Sequence, residues 1–113
     1  MQVDRRPATP EYESAVAQLL DDEETRELEF SISTDPEAHP IIKGTGGVRK
    51  ARWARKGIGK SGGIRVIYFY VDSPGVVYMI STFAKSEKAN LSPKERNALY
   101  DLAKRFKHEK EKI

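Results

Sequence analysis

The sequence predicts an α+β fold, in which an antiparallel sheet of three to four strands is flanked by two N-terminal helices and one C-terminal helix. Three observations predict it. Apolar residues recur at helical spacing near both ends of the chain, two segments rich in β-branched and aromatic residues adjoin a short turn, and a basic segment with alternating side chains precedes them. Because 113 residues are enough for one hydrophobic core, we expect a single domain spanning residues 1–113.

The first helix is predicted to begin at Thr9 and Pro10, since a threonine hydroxyl caps free N–H groups and proline fits the first helical position. Tyr12, Val16 and Leu20 then fall on one apolar face, which indicates packing in the core. Residues 1–8 offer at most a short edge strand before this helix.

A second helix can be capped by Asp21, but its continuation is ambiguous. Leu28, Phe30 and Ile32 alternate with polar residues as in a strand, whereas Leu28 and Ile32 alone are four residues apart as on a helix. The acidic first turn suits the positive N-terminal end of a helix, so we favour a helix that ends before Asp35. Residues 35–47 are then a loop.

Three strands are expected after this loop, over residues 48–54, 64–71 and 76–83. The last two are joined by the tight turn Asp72-Ser73-Pro74-Gly75 and so form a hairpin. Both faces of these two strands are apolar, which predicts central strands covered on both sides. A final helix follows Ser92-Pro93-Lys94-Glu95, which has the spacing of a capping box.

The stretch of residues 43–65 contains eight Lys or Arg residues, seven glycines and no acidic residue. In its central strand, Val48, Lys50 and Arg52 would point to one side and Arg49, Ala51 and Trp53 to the other. We expect the glycines to act as flexible hinges on either side. Two interpretations are open: a solvated basic loop, or a surface that binds phosphates.

Charge is divided unevenly along the chain, and the composition excludes several classes of site. Residues 1–40 carry a net charge of −8 and residues 41–113 carry +11, which predicts a basic working face with the acidic helices turned elsewhere. The absence of cysteine excludes thiolate chemistry and disulfides, and two scattered histidines make a metal centre unexpected. We expect a cytoplasmic protein without cofactor or membrane segment, because the chain has neither a long apolar run nor a signal peptide.

The segments GTGGVRKARWARKGIGKSGGIRVIYFY and STFAKSEKANLS resemble the RelE superfamily of toxin endoribonucleases, and most closely its HigB-like branch. This resemblance implies a small fold whose basic concave face takes mRNA on the ribosome. It also implies a cognate antitoxin, commonly of the helix-turn-helix type, that blocks or deforms that face.

Four residues match basic positions of the family, and the resemblance implies that they form the catalytic set: Lys50, Arg52, Arg65 and Lys85. RNA can be cut without metal when its 2′-hydroxyl attacks the adjacent phosphate with the help of a base, a charge stabiliser and an acid. We therefore assign Lys50 as the base, since neighbouring cations favour its neutral form. Arg52 and Arg65 would hold the phosphate, and Lys85 would assist the leaving group.

The chain departs from the family at two places. Ser86 replaces an arginine, and Asn90-Leu91-Ser92 stands where a catalytic tyrosine is expected. An alternative is therefore a catalytically silent module that binds nucleic acid or protein with the same sheet. We favour a core position for Trp53. The further residues expected to bind RNA are Arg49, Arg55, Lys56, Lys60, Tyr68 and Lys88.

Overall fold

The α+β fold predicted from the sequence is confirmed by a computed structural model, which describes residues 7–55, 63–72, 75–88 and 90–111. The described ranges contain three helices and one antiparallel sheet with the strand order β1-β2-β3. The elements are, in chain order, α1 (Pro10–Leu19), α2 (Asp22–Thr34), β1 (Arg49–Trp53), β2 (Ile64–Val71), β3 (Val76–Ala84) and α3 (Pro93–Glu111).

The helix starts are fixed by the capping residues that the sequence indicates. The side chains of Thr9 and Asp21 each accept a hydrogen bond from the backbone N–H three residues later, at 3.1 and 2.8 Å. Ser92 and Glu95 form the reciprocal bonds of a capping box, at 3.1 and 2.8 Å. The ambiguous segment of residues 28–34 is helical, because the Asp21 cap and the acidic first turn of α2 outweigh the short strand-like alternation.

The sheet is covered on both sides, as predicted. Of the two strands predicted to be central, β2 lies between β1 and β3, whereas β3 is at the edge of the described sheet, so that part of the prediction is wrong for β3. The face that we call the helix-pair face packs against α1 and α2, through Ala51, Val66, Tyr68 and Val77 of the strands and Tyr12, Val16, Leu28 and Ile32 of the helices. The opposite face, which we call the α3 face, packs against Leu99, Leu102, Ala103 and Phe106 through Val48, Ile67, Phe69 and Ile80. Burial on both sides makes β2 the centre of the core.

The hairpin of β2 and β3 contains a register shift between Ile67 and Tyr68. Next to the turn, Val71 pairs with Val76, but beyond the shift Ile67 pairs with Ser81 and the pairing is displaced by one residue. A displacement by one residue changes which β3 side chains share a face with a given β2 side chain.

The predicted edge strand before α1 falls mainly outside the described residues. Within them, Ala8 forms an isolated parallel bridge with Met79. The backbone N–H of Thr9 donates to Met79 O at 3.0 Å, and Met79 N–H donates to Pro7 O at 2.9 Å. These bonds attach the start of α1 to β3.

The turn before β1 is held by a buried threonine. The Thr45 hydroxyl donates to Ile42 O at 2.6 Å and accepts from the N–H of Val48 at 3.1 Å. Gly44, Gly46 and Gly47 adopt φ angles of 83°, 74° and 115°, which favour glycine. The first glycine group therefore adopts backbone angles that other residues avoid, as expected, within a hydrogen-bonded turn.

The second glycine group lies mostly outside the described residues, which include only Gly63 from that group. Gly63 is buried, and its carbonyl accepts the N–H of Lys85 at 3.0 Å.

We predict that Gly47→Ala destabilises the protein by about 2 kcal/mol, because a Cβ would lie 3.2 Å from Phe69 Cε1 on a strained backbone. Gly44→Ala is the control, since its φ is also positive but a Cβ there meets no atom within 4 Å. Urea unfolding should show a loss of about 1 kcal/mol for Gly44→Ala. Equal losses for the two variants would contradict a close contact at Gly47.

Candidate functional site

Three of the predicted site residues lie side by side on the α3 face. β1 and β2 pair antiparallel with Arg52 opposite Arg65 and Lys50 opposite Ile67. Directly opposed residues share a face, and so do residues two apart on one strand. Lys50, Arg52 and Arg65 therefore form a compact triangle of cations, which we call the cationic triad.

The cationic triad is accessible to solvent and to ligands. Arg52 is exposed, whereas Lys50 and Arg65 are half-buried. Among the described residues, no carboxylate lies within salt-bridge distance of these three side chains. Most of the acidic residues of the first 40 lie on α1 and α2, which cover the opposite face. Three cations without a nearby acid favour the binding of a polyanion such as a phosphate chain.

Two members of the triad also line a groove at the open edge of β1. Its volume is about 600 Å³, and its wall is the segment of residues 39–43, which faces Lys50 and Arg52. Lys43 adds a third charge to the lining and Ile41 an apolar side chain that is 53% exposed. The groove thus combines cations with an apolar wall.

The wall of the groove is fastened from behind by β1 and β2. The Arg49 guanidinium donates to Glu37 O at 3.2 Å and to His39 O at 2.7 Å. The Tyr68 hydroxyl donates to Pro36 O at 2.7 Å. Further along, the N–H of Lys50 donates to Pro40 O at 3.1 Å, so the wall is joined to the strand that carries the triad.

The structure does not support the prediction that Tyr68 binds RNA. Its side chain is fully buried on the helix-pair face, the opposite side of the sheet from the triad. Burial raises the pKa of Tyr68 to about 12, with opposing contributions from Arg49 and Asp35. Tyr68 is a structural residue that holds the groove wall.

Arg49 has contacts within the protein that the sequence did not indicate. Its guanidinium donates to two backbone carbonyls and lies 3.9 Å from the Glu37 carboxylate, so it supports the loop. On the α3 face, Lys50 lies next to Arg52 and Arg65, whereas Arg49 is the cross-strand partner of Tyr68.

The other predicted residues that the structure describes lie after the end of β1 or after the end of β3. Lys85 is exposed in the turn after β3, and its N–H bond to Gly63 places it near the start of β2. Lys88 forms an ion pair with Glu95, and Arg55 is half-buried just after β1. Lys56 and Lys60 lie outside the described residues.

The aromatic residues divide between the core and the surface. Trp53 packs on the helix-pair face and donates to the Glu24 carboxylate at 3.1 Å, which confirms its core position. Phe83, which the sequence reasoning missed, lies opposite Arg65 on the α3 face. Knowing the hairpin register would have identified it.

The segment of residues 90–92, where the resemblance implies a tyrosine, directly precedes α3. Ser86 and Asn90 are exposed, Leu91 is half-buried, and Ser92 caps the helix. Over the described ranges, no group of three acidic or histidine side chains is arranged to hold a metal ion. No described helix combines the length and the apolar character needed to cross a bilayer.

Comparisons with known proteins agree with this geometry. The model of a family described as the RelE toxin of the RelE/RelB toxin-antitoxin system matches residues 42–113, a range that includes the glycine turn, the sheet and α3. The structure is similar to that of the E. coli toxin RelE, solved as a double arginine-to-alanine mutant in the free state. The TM-score is 0.52 at 18% identity, over 79% of this chain and 90% of that chain.

We predict that Tyr68→Phe removes a pH dependence of stability. In the unfolded chain the phenol ionises near pH 10, whereas the folded protein holds its proton to about pH 12. The free energy of unfolding should therefore fall by about 2 kcal/mol across this window in the unmodified protein. Loss of the bond to Pro36 should cost the variant about 1 kcal/mol at pH 7.

Chemical unfolding at pH 7, 10 and 11.5 measures both effects. Tyr100→Phe is the control, since this tyrosine is 45% exposed. Its replacement should leave the fall in the free energy of unfolding at high pH unchanged. A decline of the same size in Tyr68→Phe would show that the buried phenol is not its source.

Proposed function

We propose, from the fact that this chain belongs to the RelE toxin family, that it is an endoribonuclease acting as the toxin of a toxin-antitoxin pair. The observation that carries the proposal is the cationic triad, in which Arg52 and Arg65 are direct cross-strand partners and Lys50 lies two residues from Arg52. Such an arrangement offers two planar forks of donors and one lysine amine to a single phosphate.

The proposed reaction is an attack of the RNA 2′-hydroxyl on the adjacent phosphate. The bond from the 2′-oxygen to phosphorus forms and the bond to the 5′-oxygen breaks, which leaves a 2′,3′-cyclic phosphate and a free 5′-hydroxyl. The reaction needs removal of the 2′-hydroxyl proton, stabilisation of the added negative charge and a proton for the leaving oxygen. No metal is required for any of these three steps.

Each step has a candidate residue in this chain. Lys50, which lies on the same face as Arg52 and Arg65, accepts the proton from the 2′-hydroxyl through an unprotonated amine. The two guanidiniums bind the phosphate oxygens as their negative charge increases, because arginine keeps its own charge at ordinary pH. Lys85, near the start of β2, protonates the leaving 5′-oxygen.

The proposed substrate is mRNA on the ribosome, and the proposed partner is an antitoxin of the helix-turn-helix type. Family membership supports action on the ribosome and an antitoxin partner, and the accessibility of the groove is consistent with both. The helix-turn-helix type of the antitoxin is inferred only from the resemblance seen in the sequence. We also propose that the protein belongs to the HigB-like branch of the family, as the resemblance in the sequence implies. A small helix-turn-helix protein in the neighbouring reading frame would support this pairing.

A second candidate function is a binding module without catalytic activity. The observation that favours it is the segment of residues 90–92, where Leu91 and the helix cap Ser92 replace the region of the expected tyrosine. Such a module would use the triad to hold phosphates without breaking a bond, since charge alone gives affinity for nucleic acid.

We predict that Lys50→Ala lowers the single-turnover cleavage rate of ribosome-bound mRNA by about 10²- to 10⁴-fold, the usual contribution of a general base. Its affinity for RNA should fall much less, because only one of several cationic contacts is lost. Arg26→Ala is the control: it removes one exposed cation from α2 and should change neither quantity.

A message with a single 2′-deoxynucleotide at the cut site should remain intact, since the attacking oxygen is absent. If Lys50→Ala lowers affinity and cleavage by the same factor, Lys50 is only a binding residue. If the unmodified protein binds RNA without cutting it on the ribosome, the binding module is the correct function.

A further inference from the structure

One aromatic side chain of the sheet stands next to the cationic triad. Phe83 of β3 lies opposite Arg65 of β2, which lies opposite Arg52 of β1. The three side chains form a row across the α3 face. Neighbouring strands are about 4.8 Å apart, so the row spans about 10 Å from β1 to β3.

The register shift in the hairpin creates this row. If the pairing that begins with Val71 and Val76 continued without the shift, Thr82 would lie opposite Arg65. Phe83 would then point to the helix-pair face. In the observed register Thr82 is buried, and its hydroxyl donates to Arg65 O at 2.8 Å. The register shift thus places the Phe83 ring beside the Arg65 side chain.

Phe83 also lines an apolar groove between the sheet and the N-terminal half of α3. The groove has a volume of about 260 Å³, and its apolar lining includes Ile67, Leu91, Leu99 and Leu102. Lys88, which is ion-paired with Glu95, also lines the groove, and its ammonium lies over the Phe83 ring at 5.5 Å from the ring centre. Ser81 and Glu11 add polar atoms to the lining.

We propose that this groove binds one nucleobase of the RNA, with Phe83 as the stacking surface, while Arg65 and Arg52 hold the phosphate of the same nucleotide. The inference rests on the proposed function and adds a base-binding subsite to it. Aromatic rings beside cations are a common platform for single-stranded RNA, because every base offers a π-face and every nucleotide a phosphate.

The charges next to the groove favour a nucleotide over an apolar side chain of a protein. A leucine side chain would fill the apolar volume but would leave Arg65 and Arg52 without a partner. A nucleotide matches both the arginines and the apolar groove. Its anionic phosphate faces the arginines, and its base contacts the apolar lining. Ser81 and Glu11 can then hydrogen-bond to the edge of the base.

The test compares two small ligands by NMR on the intact protein. Adenosine 5′-monophosphate contains a base and a phosphate, whereas ribose 5-phosphate lacks the base. We expect both to shift the signals of Arg52 and Arg65, and only the nucleotide to shift the methyl groups of Ile67 and Leu99. Nuclear Overhauser contacts should join its base protons to the Phe83 ring.

Phe83→Ala should lower the affinity for the nucleotide about 5- to 100-fold, as expected for the loss of one stacked base, and leave ribose 5-phosphate unaffected. Phe30→Ala is the matched control, because Phe30 is an aromatic residue on α2 that is 54% exposed. It should change neither affinity. Should Phe83→Ala fail to fold, the Overhauser contacts in the unmodified protein decide the question.

The proposal is overturned if the two ligands shift the same signals, or if Phe83→Ala weakens both equally. It is also overturned if N-acetyl-leucinamide shifts the groove methyl groups while the nucleotide does not, which would indicate a protein side chain as the occupant. None of these measurements involves cleavage, so they are independent of whether the protein is a nuclease.

Discussion

The register of β1 against β2 is the constraint on which the candidate site depends. Ala51 is almost completely buried on the helix-pair face, and Val48 is completely buried on the α3 face. A slip by one residue would exchange the two faces, drive Lys50 and Arg52 into the helix-pair core and expose Ala51 and Trp53. Because burying an unpaired charge is very costly, the hydrophobic core itself selects the register that presents the cations.

The same register divides the basic strand between two tasks. Lys50 and Arg52 point to the α3 face and remain available for a ligand, whereas Arg49 points to the other side and bonds to the loop of residues 36–40. Tyr68, its cross-strand partner, bonds to the same loop. Two adjacent strands thus carry the triad on one face and fasten the groove wall from the other, which couples the position of the wall to that of the cations.

The sequence was informative wherever local chemistry decided the structure. The caps at Thr9, Asp21 and Ser92 fixed the helix starts, and the alternation in β1 placed Lys50 and Arg52 on one face. Alternation could not show which face of β2 is open, because both are apolar, and so Tyr68 was misassigned to the surface.

Longer-range features could not be predicted in the same way. Phe83 lies beside the triad because of the register shift in the hairpin of β2 and β3. The groove wall is a loop whose backbone carbonyls accept hydrogen bonds from the strands. Neither feature leaves a periodic pattern in the sequence. The role of Thr45 in the glycine turn could not be predicted either, since it depends on tertiary burial that composition does not reveal.

We propose that Arg52 and Arg65 bind the same phosphate. A double-mutant cycle measures whether their contributions to RNA binding are coupled. The affinity for an uncleavable RNA with a 2′-deoxynucleotide at the cut site is measured for the unmodified protein, Arg52→Ala, Arg65→Ala and the double variant. If the two guanidiniums share a phosphate, the losses of binding free energy in the two single variants should differ in sum from the loss in the double variant by about 0.5–3 kcal/mol. Strictly additive losses would mean that the two arginines contact separate phosphates, and the account of a single shared site would be wrong.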